Sequence, residues 1–456
     1  MPDRNGTAEI ASFVERTRFE DLPEDVVHHV WRSVVDCLAV ALGGLEHPSL
    51  AMYLTLADTL GGHEQARIWG TPRKASVNLA ALINGHLAHL LDFDDSYMPE
   101  VTILHGNAPI IPAAMALGEY LGANGREFAL AFALGFEVAA RAALAAGKSL
   151  YDHHFHVTAV MGPVGAAVAA GKLLGLDAQR LQWAIGIACS QSGGLGQAHG
   201  SMTKAFHAGR GAHAGVIAAL LAKEGFTSGP DPLSGPNSLL LLFPSDQNFD
   251  GLLADLGTRW ELRKAAFKAY ACGIVQQPVL DGVVALREEL KLKADDVEAI
   301  EARVNPAVGS ATGKREPQTG LDGKFSVYHS AAVALIDGGA GPEQYTDARV
   351  QDPAVQRLRS RVSIELDPSV HKDECFLRVR LRDGRVLDRH VAHASGTADN
   401  PLSDLQLERK FRLLVEPRLG ASGSQRVLET LARLTELEHV TEITDLLVGQ
   451  RDLVGA

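Results

Sequence analysis

The sequence predicts a mainly α-helical protein with a smaller α+β part. A large all-helical domain covers residues 1–265 and regains residues 401–456, and an α+β lid domain at 266–400 is inserted before the C-terminal helices. Three observations predict this. From residue 8 to about 225, apolar residues recur at spacings of three and four in Ala-rich segments, which is the helical period. Beyond about residue 266, "VEAIEARV", "SRVSIELD" and "CFLRVRLRDGRVLDRHVAHA" alternate as strands do. After "GTADNPLSD" the helical spacing returns in "LQLERKFRLLVEPRL" and "SQRVLETLARLTE".

The elements follow in order. "LPEDVV" opens a helix with Pro23 in its first turn and Glu24 and Asp25 at the positive end of the dipole, and "VVHHVWRSVVDCLAVALGG" continues it. A second helix begins near Asn78, with Leu79, Leu82, Ile83, His86 and Leu87 along one face. Further helical segments are 104–125, "FALAFALGFEVAARAALAAG", "VTAVMGPVGAAVAA" and "AHAGVIAALLAKEG", and several end in a C-capping glycine. "GFTSGPDPLSGPNS", 225–238, breaks the pattern because its prolines and glycines cannot continue a helix. In the later part, Asp383-Gly384 between "FLRVRL" and "RVLDRHV" predicts a hairpin.

Composition narrows the function. At 456 residues the chain exceeds the usual single-domain length, and 46% hydrophobic with 21% charged residues is ordinary globular chemistry. A net charge of −12 without a basic stripe argues against nucleic acid as a partner. The longest uncharged apolar stretch, "VTAVMGPVGAAVAA", is short and glycine-broken, so no membrane span is expected. Asp3, Arg4 and Glu9 stand where a signal peptide needs an apolar core. Cys37, Cys189, Cys272 and Cys375 are too scattered for a disulfide framework or thiolate cluster, so a reducing cytoplasm is the expected location.

Three stretches carry candidate chemistry. "HLLDFDDSYMPE" follows His86 with His89, Asp92, Asp94 and Asp95. On a continuous helix His86, His89 and Asp92 share one side, a ladder open to three readings: a metal site, a proton-transfer site, or core histidines followed by capping aspartates. "YDHHFHVTAVMGPVG" places three histidines before an apolar helix, either as a solvated loop or with one at a helix N-terminus fit for an anion. "GSMTKAFHAGRGAHAG" spaces Lys204, His207 and Arg210 three apart on a helix, either to hold a carboxylate or to meet surface acids. "GGLGQAHG" lacks the third glycine of a dinucleotide fingerprint, "AGKSL" lacks the first glycine of a phosphate loop, and there is no G-x-S-x-G elbow.

Taken in order, these segments resemble the MmgE/PrpD family, which includes 2-methylcitrate dehydratase, cis-aconitate decarboxylase and iminodisuccinate epimerase. "HLLDFDDSY", "HGNAPIIPAAMALGE", "FHVTAVMGPVGAAVAAGKLLGLD", "SMTKAFHAGRGAHAGVIAALLAKEGFTSGP", "FKAYACG" and "GKFSVYHSAAVALIDG" follow the family's motifs nearly end to end. The resemblance implies a helical domain with an α+β lid, a site between them, no metal or other cofactor, and a homodimer acting on a small carboxylate. It implies a carbon–oxygen lyase of a small di- or tricarboxylate, with 2-methylcitrate-type dehydration as the leading expectation and epimerisation as the next. A metal-dependent hydrolase built on the ladder and a non-catalytic carboxylate-binding dimer are the alternatives from other classes.

Matched to the family's motifs, the site would comprise Asp92, His105, His156, Lys268 and Tyr328 as catalytic residues and Ser96 and Lys204 as substrate-binding ones, with His207 and Arg210 added to the binding set by their spacing after Lys204. The lysines would stabilise negative charge developing beside a carboxylate. Asp92 and the histidines would move protons, and Tyr328 with Lys268 would position or protonate the intermediate. Departures are a longer Ser96–His105 loop, Val157 in place of proline, "PLSGP" without the usual glutamate, and Gly273 where the decarboxylase branch has histidine. The last speaks against cis-aconitate decarboxylation.

Overall fold

The computed structural model describes residues 5–243 and 248–448. Asp3, Arg4 and residues 449–456 of the expected C-terminal return lie outside them. The helices longer than two turns are α1 (Gly6–Arg16), α2 (Glu24–Gly43), α3 (Ser49–Leu60), α4 (Val77–Leu90), α5 (Asn107–Leu121), α6 (Gly125–Ala146), α7 (Val157–Leu173), α8 (Ala178–Cys189), α9 (Met202–Lys223), α10 (Gln277–Leu290), α11 (Val327–Asp337) and α12 (Asp404–Ala432). Strands β1 (Ala66–Arg67) and β2 (Lys74–Ala75) pair, as do β3 (Asp95–Tyr97) and β4 (Ala265–Phe267). The four-stranded sheet has the order β6-β5-β7-β8, with β5 (Val297–Val304), β6 (Val362–Leu366), β7 (Cys375–Leu381) and β8 (Val386–Val391). The protein is thus mainly α-helical with small sheets.

The helical core is built on close approach. α9 lies against α4 and α7, and α4 against α5. Small residues permit it: a Cβ on Gly209 of α9 would stand 2.2 Å from the Leu82 carbonyl oxygen of α4, and one on Gly85 would stand 2.8 Å from the Gly209 Cα. This contact holds the N-terminal end of α9, with Lys204, beside the C-terminal end of α4. α6, like α2, has a membrane span's length, with a mean hydropathy of 1.7, but carries charged residues, so a search of uncharged stretches leaves it out. It is instead a core helix, buried nearly throughout, whose charged pair Arg141–Glu137 is closed at 2.5 Å inside the fold.

Strand β3 runs antiparallel to β4, Asp95 opposite Phe267, so a segment far along the chain delivers Lys268 to the end of α4. The β7–β8 hairpin turns at Asp383-Gly384 as its sequence predicts, with Gly384 at φ 89°. β5 pairs in parallel with β6 and antiparallel with β7, and α10 packs on β7, β8 and α11. α12 lies along α2. It sends Lys410 inward to Asp36 of α2 at 2.6 Å.

Gly209→Ala should lower unfolding free energy by about 1–3 kcal/mol, the cost of forcing atoms into a packed contact. Gly229→Ala, whose Cβ meets nothing within 4 Å, should stay within about 0.5 kcal/mol of the parent. Denaturant unfolding checks both, and equal losses would contradict the close α4–α9 contact.

Candidate active site

The site starts where α4 stops. The helix ends at Leu90 and Asp92 takes the left-handed conformation, φ 50°, so it is no longer in step with the histidines before it. This corrects the expected ladder. His86 turns away, its Nε2 2.8 Å from the Ser49 hydroxyl, while His89 and Asp92 face other partners. The metal-dependent hydrolase built on that ladder loses His86, while His89, Asp92 and Asp94 stay close enough to share an ion, with the Lys204 ammonium already bonded to both His89 and Asp92.

Asp92 is buried, and its Oδ1 accepts from two ammonium groups, Lys204 Nζ at 2.8 Å and Lys268 Nζ at 3.0 Å. Lys268 also donates to the Asp92 carbonyl oxygen at 2.9 Å, and Lys204 to His89 Nε2 at 2.8 Å. Each ammonium has three N–H groups and spends two in this way, leaving one. Asp92 Oδ2 is buried without a hydrogen-bond partner. Burial alone would raise the Asp92 pKa, but the two lysines hold it well below the usual carboxylate range. Burial depresses Lys204 against the pull of Asp92, whereas in Lys268 Asp92 and Asp94 together outweigh burial and raise it.

The imidazoles are fixed as neutral tautomers. His89 accepts at Nε2 from Lys204, so its Nδ1–H donates to Asp94 Oδ2 at 2.7 Å. His105 donates from Nδ1 to the Asp95 carbonyl oxygen at 2.6 Å, with the Ser96 hydroxyl 3.3 Å away, which leaves Nε2 as a free acceptor. His156 shares a hydrogen bond between its Nδ1 and that of His207 at 3.1 Å, and its buried Nε2 has no partner. Burial, followed by the nearby lysines, holds His105 and His156 well below the ordinary histidine pKa. Burial and Lys204 bring His199 to about 4. Asp95 accepts from the Gly106 and Asn107 N–H groups at 3.1 Å each, anchoring the start of α5 beside His105.

A cavity is lined by Asp92, His105, His156, His199, Lys204 and Lys268, with apolar residues completing its wall. Of the residues expected from sequence, the structure brings these together except His199, which sequence reasoning missed. His199 lies in the Gly-rich loop before α9, and its failure as a dinucleotide motif hid it. Ser96 stands behind His105, and His207 behind His156. Arg210 is turned away, donating to the Ala159, Gln191 and Gly193 carbonyl oxygens, so it clamps a loop. Tyr328, on α11, lies under the Arg315 guanidinium, 4.8 Å from its ring centre, and is not among the lining residues. Also missed were Lys324, which donates to the Leu91 and Ala271 carbonyl oxygens at 2.7 and 2.9 Å, and Lys410, whose ammonium binds Asp36 and the Phe93 and Lys268 carbonyl oxygens.

His89, His105 and His156 cluster closely enough to hold a metal ion. The donor set does not suit one: both nitrogens of His89 are engaged, and the Lys204 and Lys268 ammonium groups face the same space. The site suits an anion.

Comparison with known proteins agrees along the whole chain. Residues 8–251 match the MmgE/PrpD N-terminal domain and residues 270–436 the MmgE/PrpD C-terminal domain. Cis-aconitate decarboxylase of Homo sapiens is 26% identical over 97% of this chain and 94% of its own length. That of Aspergillus terreus is 27% identical over 97% and 95%. A cis-aconitate decarboxylase-like protein of Aspergillus oryzae is 25% identical over 98% of both. With matches spanning both of its parts, the chain belongs to the MmgE/PrpD family.

Proposed function

We propose that the protein is a metal-independent lyase of the dehydratase type, removing a proton beside a carboxylate of a small di- or tricarboxylate and expelling water. The observation that carries this reading is the pair of lysines on one oxygen of Asp92, each with an N–H to spare, beside the free Nε2 of His105. Asp92, expected from sequence to move protons, is in this reading an ionised anchor for the lysines, since its Oδ1 is held by both ammonium groups.

The step runs as follows. A substrate carboxylate takes the remaining N–H groups of Lys204 and Lys268, and His105 Nε2 takes the proton from the adjacent carbon. The electron pair of the C–H bond forms a carbon–carbon double bond as the neighbouring C–O bond breaks. The departing hydroxide takes that proton from the His105 imidazolium and leaves as water, which returns His105 to its neutral form. The lysines stabilise the negative charge that builds on the carboxylate side of the transition state.

The decarboxylase names of the relatives favour a second reading, loss of carbon dioxide from an unsaturated tricarboxylate. It needs an acid to protonate carbon after the C–C bond breaks. The histidines here are held neutral, and position 273 is glycine. Both features support elimination. In deuterated buffer, 2-methylcitrate or another hydroxy acid of this class should yield an unsaturated acid and water, with deuterium entering the unreacted pool. Release of carbon dioxide from cis-aconitate, with no elimination from any hydroxy acid, would decide for decarboxylation.

Lys268→Ala should lower kcat by about 2.7–4 kcal/mol of transition-state stabilisation while KM changes less, as steady-state kinetics would show. Unchanged turnover would remove Lys268 from the chemistry.

The pH profile has a stated sign. A base works when neutral and loses activity as pH falls through its folded pKa, so depressed His105 puts the acid limb of kcat/KM below the ordinary 6.5. Burial brings Lys324 down to about 8, and its charge near Asp92 is lost above that. The alkaline limb should therefore fall near pH 8 and disappear in Lys324→Met, and a limb that persists in the variant would assign it elsewhere.

A further inference from the structure

The cavity lining is mixed. Asp92, Lys204, Lys268 and three histidines share it with Ile103, Phe155, Ile274, Val275 and Ala311, and the Phe325 ring lies 5.7 Å from Lys204 Nζ and 5.2 Å from the His199 ring. Among the described residues no arginine lines it. Gly273 adds no side chain, and a Cβ there would meet the Thr312 methyl carbon at 2.7 Å.

The places for a carboxylate can be counted. The first lies between Lys204 and Lys268, whose spare N–H groups face the cavity. The second lies at the start of α7, where His156 is the N-cap and Val157 the first residue, both lining the cavity. The opening N–H groups of a helix have no partner within it, and the dipole favours an anion there. The unpartnered, buried Nε2 of His156 points to a ligand at the same place. A third carboxylate would have only the apolar wall to face, and a charge desolvated without a partner is strongly disfavoured. The same wall rewards an aliphatic group by removing it from water.

We propose that the site takes an alkyl-branched hydroxydicarboxylate, one carboxylate between Lys204 and Lys268, the other at the start of α7, and the alkyl branch against Ile103, Ile274 and Val275. This rests on the lyase reading and narrows it: among small hydroxy acids, the branched dicarboxylates are the substrates and tricarboxylates are poor ones. The elimination is the one already written, with the proton taken from the carbon beside the first carboxylate and hydroxide lost from the neighbouring carbon.

The test uses the unmodified protein with malate, 2-methylmalate, 2-isopropylmalate, citrate and 2-methylcitrate at matched concentrations, following deuterium entry and formation of the unsaturated acid. At least one alkylmalate should exceed both malate and the tricarboxylates in kcat/KM by about tenfold or more, the discrimination that a small aliphatic group in an apolar pocket supplies. Val275→Ala should reduce the ratio of alkylmalate to malate. A tricarboxylate handled faster than every dicarboxylate would overturn the dicarboxylate assignment and leave the lyase reading standing, and malate matching the alkylmalates would overturn the role of the apolar wall. No exchange or elimination with any of the five acids would remove the lyase reading and this one together. Thermal upshift of the folded protein by the same acids gives a readout independent of turnover. The alkylmalates should raise the midpoint more than citrate does, and the reverse order would overturn the assignment.

Discussion

The architecture turns on the burial of a concentrated negative end. α4 ends on the negative pole of its dipole, and the ionised carboxylates of Asp92 and Asp94 follow immediately, both withdrawn from water, beside Asp95, whose pKa burial and Asp94 push up. Leaving such a group uncompensated costs several kcal/mol per ion. The chain compensates with cations from four distant segments. Lys324 takes the Leu91 carbonyl, Lys268 that of Asp92 and Lys410 that of Phe93, while Lys204 takes the Asp92 carboxylate. His105 donates to the next free carbonyl, that of Asp95. The same contacts tie α9, β4, the approach to α11, and α12 to one point.

In the proposed reaction, that neutralisation also sets the chemistry. Lysines gathered around Asp92 keep it ionised, and together with burial they keep the facing imidazoles neutral. A neutral imidazole with its Nδ1–H committed to a carbonyl presents an unprotonated Nε2 in a fixed direction, which is where the proposed reaction has it take a proton from carbon. The lysines are preorganised by Asp92, so little rearrangement is needed when charge develops on a bound carboxylate. A cation at the histidine cluster would compete with these ammonium groups for the same field.

Much of this was legible in the sequence for physical reasons. Helical periodicity and the Asp-Gly hairpin mark the element types because they reflect burial and backbone conformation directly. Motifs alone single out Asp92, His105, His156, Lys204 and Lys268, and these line one cavity. What misled was continuity. Extending 100° per residue past Leu90 put Asp92 on the face of His86 and His89, whereas a left-handed residue at 92 turns it toward Lys204. Arg210 shares a helix spacing with Lys204, yet only three-dimensional packing decides that it meets loop carbonyls. Lys324 and Lys410 sit in ordinary-looking segments, and nothing local distinguishes a buried lysine from a solvated one. A search confined to uncharged stretches passes over α6, whose length and hydropathy would suit a membrane and whose alanines and phenylalanines serve a protein core.

The most direct test of the account is a crystal structure with a slowly processed hydroxydicarboxylate bound. The account predicts one carboxylate within hydrogen-bond reach of both Lys204 Nζ and Lys268 Nζ, with Asp92 still bridging them, and the acidic carbon beside His105 Nε2. A carboxylate bound away from the lysine pair, or a metal ion seated on His89, His105 and His156 with Lys204 displaced, would contradict it.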